Sequence, residues 1–191
     1  MMNRAIIDDK KVKAIYSYIE TLRNGKQLKM MFDFSFLGAM RSVNFRNLQL
    51  KDVIDEYNNI KDIIVLDSEK NKGKNKAKYY VSDELKKSIK EYIRDFDLNN
   101  KETYLFISPK TGKPYSRTHI STMFSNVFNV FGLDCSTHFG RRRFITKLLT
   151  EKGVDITTVK TLVNHKNIAT TSLYVNEDEN LLKTVVNSLN K

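Results

Sequence analysis

Five lysines alternate through the stretch EKNKGKNKAK: Lys70, Lys72, Lys74, Lys76 and Lys78. In an extended hairpin a period of two puts all five on one face. Such a face is either a solvated loop or a surface that tracks a phosphate backbone. A second concentration of charge is His138-Phe139-Gly140-Arg141-Arg142-Arg143. His138 and Arg141, three residues apart, share a helix face. Arg141 shares it also with Ile145 and Leu148, the side expected to face inward. A guanidinium at the edge of an apolar face needs an anionic partner, because burying it unpaired is very costly. A carboxylate would serve, and so would a phosphate at a helix N-terminus. The chemistry these residues suit is the gripping of an oxyanion.

Other chemistries find little support. The three histidines (His119, His138 and His165) and Cys135 lack the close pairs that zinc sites use. There is no GxxxxGK[ST] to cradle nucleotide phosphates and no GxSxG for a hydrolase nucleophile. No metal and no cofactor are expected.

The elements that must carry these residues are mostly helical. Residues 9–24 place Val12, Ile15, Ile19 and Leu22 at helical spacing up to Asn24-Gly25. Residues 26–39 are apolar almost all round, which predicts a buried helix. IKDIIVLDSE and YYV read as two strands joined by the lysine-rich turn. Ser82 caps a helix with Leu85, Ile89, Tyr92, Ile93 and Phe96 in its stripe. YLFISPKTGKPYS predicts a strand and turn, and residues 116–131 a further helix. The last third is almost entirely helical, with helices at 138–152, from Asp155, at 168–175 and at 178–190. The expectation is a mainly α protein carrying a small antiparallel β-sheet (α+β), a single domain over 1–191.

Composition sets the setting. In 191 residues, 40% are apolar and 10% aromatic, enough for a real core at this length. Lysine and arginine outnumber aspartate and glutamate by 33 to 22, a net charge of +11 that favours a polyanionic partner. One cysteine cannot form an internal disulfide, which points to a reducing compartment. The start MMNRAIIDDKK has no apolar stretch of a secretory signal, and no apolar run approaches 18 residues. The expectation is a cytoplasmic, nucleoid-associated protein with no membrane partner.

Taken in order, the motifs resemble those of the tyrosine recombinase (phage integrase) family. THFGRRRFITKLL resembles the family's H-x-x-R, TLVNHKN its Gly-His, and TTSLY its T-T-x-x-Y. His165 follows Arg141 by 24 residues and Tyr174 follows His165 by 9, both suiting the family. FLGAMRSVNFRNL resembles the glycine-hydrophobic-arginine motif that opens the catalytic domain, and NKGKNKAKYYVSDEL resembles the catalytic β-hairpin and its following helix. There are departures. Asn44 stands where an acidic residue is usual, Arg142 replaces a common second histidine, and Asn164 replaces the glycine before His165. Glycine there would supply a positive φ, which asparagine tolerates next best.

The resemblance implies the DNA breaking-rejoining fold and a site-specific recombinase or integrase working through a 3′-phosphotyrosyl intermediate without metal or ATP. Catalytic residues would be Arg41, Lys72 (with Lys74 the alternative), His138, Arg141, His165 and Tyr174. Lys70, Lys74, Lys76, Lys78, Arg142 and Arg143 would contact DNA. A free tyrosine, with a pKa of about 10, needs help losing its proton or strongly cationic surroundings. Implied partners are double-stranded DNA, further copies in a tetramer on DNA, and accessory DNA-bending proteins. The helix at 178–190 would dock on a neighbouring subunit or on its own domain. On this resemblance the family's N-terminal core-binding domain is expected to be absent, as in a short invertase or an excised piece. Two other readings keep the fold: a non-catalytic DNA-binding regulator and a type IB topoisomerase-like relaxing enzyme. An RNA-binding module lacks its RRM signature and GXXG loop.

Overall fold

The computed structural model describes residues 8–67 and 76–174. Two compact units divide the chain, one through Phe144 and one from Ile145.

The first unit begins with α1 (Asp9–Glu20), whose Asp8 cap accepts from the Lys11 N–H at 2.7 Å. It buries Ile15 and Ile19 completely. The helix ends at Glu20, four residues before the expected stop, because Leu22 and Gly25 turn their N–H groups back to Ile19 and Leu22. Gly25 opens α2 (Gly25–Phe36), and only a glycine fits there: a Cβ would sit 2.2 Å from the Ile19 carbonyl oxygen. As its all-round apolarity predicts, α2 is buried along most of its length. Phe32 stacks on Phe124 of α6 (Arg117–Val130) with ring centroids 4.2 Å apart. Phe34, Phe45, Phe106 and Phe128 extend this aromatic core.

Two one-turn helices follow, α3 (Ser42–Phe45) and α4 (Leu50–Val53). Then β1 (Ile63–Leu66) pairs antiparallel with β2 (Ala77–Tyr80), Ile63 opposite Tyr80 and Leu66 opposite Ala77. Ile64, Leu66, Ala77 and Tyr79 turn inward, while Val65, Lys78 and Tyr80 stay exposed, the alternation a one-sided sheet requires. Helix α5 (Asp83–Asp95), capped by Ser82, buries Leu85, Ile89 and Tyr92. The strand expected within 104–116 does not form. Isolated bridges link Gln49 with Tyr104 and Ile107 with Pro114. Pro109 and Pro114 have no N–H for a ladder, and Gly112 turns the chain with a φ of +65°.

Helix α7 (Phe139–Thr150) runs through the division after Phe144. The second unit continues with α8 (Ile156–Leu162), whose Asp155 cap accepts from the N–H groups of Thr157 and Thr158, both at 2.9 Å. Asn167 caps α9 (Ile168–Ser172) by accepting from the Ala169 N–H at 3.0 Å. Ile145, Val159, Val163 and Thr171 are buried. Among the described residues no helix is long and apolar enough to cross a membrane.

Candidate active site

In the first unit the sequence-predicted residues Arg41, His138 and Arg141 come together. Arg41 ends an extended segment at the N-cap of α3, with φ −74° and ψ 145°. Two residues earlier Ala39 takes a left-handed φ of 49°, uncommon for a residue with a Cβ. The Ala39 carbonyl accepts a short hydrogen bond from Nη1 of Arg141. Arg141 is only 4% exposed, so the inward face expected of it is confirmed, and one partner of its guanidinium is a backbone carbonyl on the Arg41 segment.

Other contacts fasten the same two stretches. Ser42 Oγ donates to Thr137 Oγ1 and Ser35 Oγ to the Thr137 carbonyl, each at 3.3 Å. Gly140 is also a close fit: a Cβ there would lie 2.4 Å from Cδ2 of Phe36 and 2.6 Å from Oγ of Ser35. The glycine inside HFGR lets the start of α7 press onto α2, which sets Arg141 beside residues 39–41. Asn44, in the usual acidic position, is buried and donates from Nδ2 to the Tyr79 hydroxyl at 2.6 Å. That bond ties the helix after Arg41 to the β-hairpin.

His138 is exposed as a residue, yet neighbouring atoms desolvate its ring. This desolvation, and then the positive charges of Arg141, Arg142, Arg41 and Arg117, hold its pKa below the ordinary imidazole value. Each effect penalises the imidazolium, so the neutral ring is favoured. Arg117 is absent from the sequence-based expectation. A signal for it existed: a cation in the first turn of α6 opposes the helix dipole, so folding alone gives no reason for it.

In the second unit His165 and Tyr174 are neighbours, their rings nearly parallel (19°) with centroids 6.5 Å apart. Asn164 has a φ of 53°, the left-handed conformation expected where relatives carry glycine. Its N–H bonds to the Thr161 carbonyl at 3.1 Å, and the His165 N–H to the Lys160 carbonyl at 3.0 Å. This paired closure is a Schellman cap, and it launches His165 from the end of α8. Nδ1 of His165 lies 2.9 Å from Oγ1 of Thr171.

The remaining cations divide. Lys70, Lys72 and Lys74 lie outside the described residues, as does the expected helix at 178–190. Lys76 lies 3.4 Å from Asp67, and Lys78 is exposed on β2. Arg142 is exposed on α7. Arg143, with a side chain only 14% exposed, bonds to the Asp9 carboxylate at the start of α1. Among the described residues no three His, Cys, Asp or Glu side chains gather to hold a metal.

Over residues 5–180 the chain matches the profile of the phage integrase family. The chain belongs to that family. Among fellow members, the probable integrase/recombinase YoeC of Bacillus subtilis (strain 168) is 28% identical over 170 residues, covering 88% of this chain and 87% of YoeC. Tyrosine recombinase XerD of Rickettsia prowazekii (strain Madrid E) is 26% identical over 186 residues, or 93% of this chain and 60% of XerD. This integrase-family chain therefore spans nearly all of one relative and three-fifths of the other. The Tn1549 transposon integrase, solved with transposon right-end DNA, superimposes with a TM-score of 0.73 at 15% identity, over 97% of this chain and 66% of that one. XerA recombinase gives 0.73 at 19% identity, over 97% of this chain and 65% of that one. The fold is that of tyrosine recombinase catalytic domains, mostly helical with a small antiparallel sheet.

Proposed function

We propose that residues 1–191 form the catalytic domain of a site-specific DNA recombinase. Tyr174 would attack a scissile phosphate: its Oη bonds to phosphorus, the bond from phosphorus to the 5′-oxygen breaks, and a 3′-phosphotyrosyl link remains. The phosphoester energy is kept, so another 5′-hydroxyl reverses the step and joins strands. Arg41 and Arg141 would bind the non-bridging oxygens, where charge grows as phosphorus becomes five-coordinate. His138, favoured neutral by desolvation and then by the cations around it, would accept the Tyr174 proton. Lys72 would give a proton to the leaving 5′-oxygen, and Nε2 of His165 would hydrogen-bond the phosphate.

The observation that carries this reading is the buried Arg141, bonded to the Ala39 carbonyl two residues before Arg41 and one turn after His138. Two arginines and a histidine held close together by the fold suit a phosphate bound among them. The partner is then double-stranded DNA, with Lys70, Lys74, Lys76, Lys78, Arg142 and the newly found Arg117 along its backbone. Arg143, already bonded to Asp9, contributes mainly to the fold. Assembly as a tetramer on DNA, with residues 178–190 exchanged between copies and accessory bending proteins assisting, belongs to the same proposal, as does a nucleoid location.

The test is a nicked DNA duplex carrying the recombination site, incubated without metal or ATP. A covalent protein–DNA adduct that resists SDS is expected, lost in Tyr174→Phe while DNA binding persists. Binding without any adduct would leave a DNA-binding regulator. Relaxation of supercoils without strand exchange between sites would leave a topoisomerase.

A further inference from the structure

Within α9 three hydroxyl residues follow one another, and they differ in burial. Thr170 and Ser172 are exposed, whereas Thr171 is fully buried. A buried hydroxyl requires a partner, and Thr171 has the His165 imidazole, 2.9 Å from Oγ1 to Nδ1. The backbone of Thr171 serves the neighbouring group: its carbonyl accepts from the Tyr174 N–H at 3.1 Å. One residue thus holds the ring of His165 with its side chain and the backbone of Tyr174 with its main chain. The Schellman cap fixes where His165 leaves α8 but leaves its ring torsions free. The Thr171 bond is a contact that acts on them directly.

We propose that Thr171 is a positioning residue whose hydroxyl donates to Nδ1 of His165, fixing the tautomer that carries its proton on Nε2. In a neutral imidazole one nitrogen donates and the other accepts, and the bond made by one decides the state of the other. With Nδ1 occupied as acceptor, Nε2–H is left as a donor of defined direction. A donor is what a phosphate oxygen requires, so the assignment rests on the recombinase reading for its purpose. It does not rest on it for its geometry.

Nitrogen-15 NMR of the full chain with labelled histidine rings reads the tautomer directly, and His165→Gln identifies the signals. Above the imidazole pKa, His165 is expected to show a bare Nδ1 and a protonated Nε2. Thr171→Val, nearly the same shape without the hydroxyl, should convert His165 to a mixture of tautomers, and Thr171→Ser should restore the single form. Single-turnover cleavage of the nicked duplex should slow about 10-fold or more in Thr171→Val, with DNA affinity retained, and recover in Thr171→Ser. A proton on Nδ1 in the unaltered protein would overturn the assignment, whether or not the valine variant folds. So would an unchanged tautomer or an unchanged rate in folded Thr171→Val. If the unaltered protein gives the expected tautomer but no adduct, the recombinase reading fails, and with it the catalytic purpose of the contact.

Discussion

Arg141 and His165 are both polar groups held in place by the fold, one in each unit, and the means differ. Around Arg141 the support is tertiary. The Ala39 carbonyl, the two serine bonds to Thr137 and the pressed contact of Gly140 against Phe36 join stretches about a hundred residues apart. Around His165 the support is local. A helix cap, a capped single-turn helix and one hydroxyl all fall within 160–174. The groups proposed to hold the phosphate are braced against the aromatic core, and the segment carrying the proposed nucleophile has a cap, a short helix and a hydroxyl bond of its own. Segments with few buried apolar contacts open at low free-energy cost. Amide hydrogen exchange should therefore be slow in α2 and α6 and faster in α8 and α9. Equal protection would erase the contrast.

Arg141→Ala should have the largest effect. A lost oxyanion donor typically costs about 10²–10³ in rate, and here the Ala39 carbonyl would lose a partner as well. Adduct formation on the nicked duplex should fall by that factor. Gly140→Ala comes next. Its Cβ would displace Phe36 or Ser35, and overpacking of this kind costs about 1–3 kcal/mol. Denaturant unfolding should show that loss; an unchanged midpoint would mean that α7 does not press on α2 as described.

How much of this could be read from the chain follows the same contrast. Local features were legible. The alternating burial of the hairpin, the Ser82 and Asp155 caps and the left-handed Asn164 each depend on a few adjacent residues. Arg141 was legible as an inward guanidinium because its helix face carries Ile145. What tertiary contact decides was not legible. Nothing near Ala39 announces that its carbonyl will meet Arg141, and nothing near Thr137 announces two serine donors from the other end of the unit. Residues 104–116 carry strand-like apolar residues, but their prolines leave only isolated bridges. For Arg117 the only local signal is its place in the first turn of α6, against the helix dipole, and that signal names no partner. Only the fold brings its charge to bear on His138.

Asn164 tests the local side of the contrast at smaller cost. Alanine there must hold a positive φ with a Cβ, at about 1 kcal/mol, whereas Asn164→Gly should be neutral or slightly stabilising. Thermal unfolding distinguishes the two. If both variants matched the unaltered protein, the Schellman cap would not be what launches His165.

The smallest effect separates the two imidazoles by what acts on them. Desolvation and then cations lower the pKa of His138, so between that value and the ordinary one near 6.5 the unfolded chain binds the proton and the folded chain does not. Stability from this source is complete above the ordinary value and is lost as the pH falls toward the lowered one. Arg142→Ala, which removes an exposed charge, should move the His138 titration upward, and added salt should do the same by screening the guanidinium groups. The hydroxyl bond that holds His165 is short-ranged, so salt should leave its tautomer unchanged. Proton NMR of the ring Cε1–H signals across a pH series, at low and high salt, follows both. A His138 midpoint indifferent to Arg142 and to salt would show that burial alone lowers it, and would remove the cationic field from the account of how Tyr174 loses its proton.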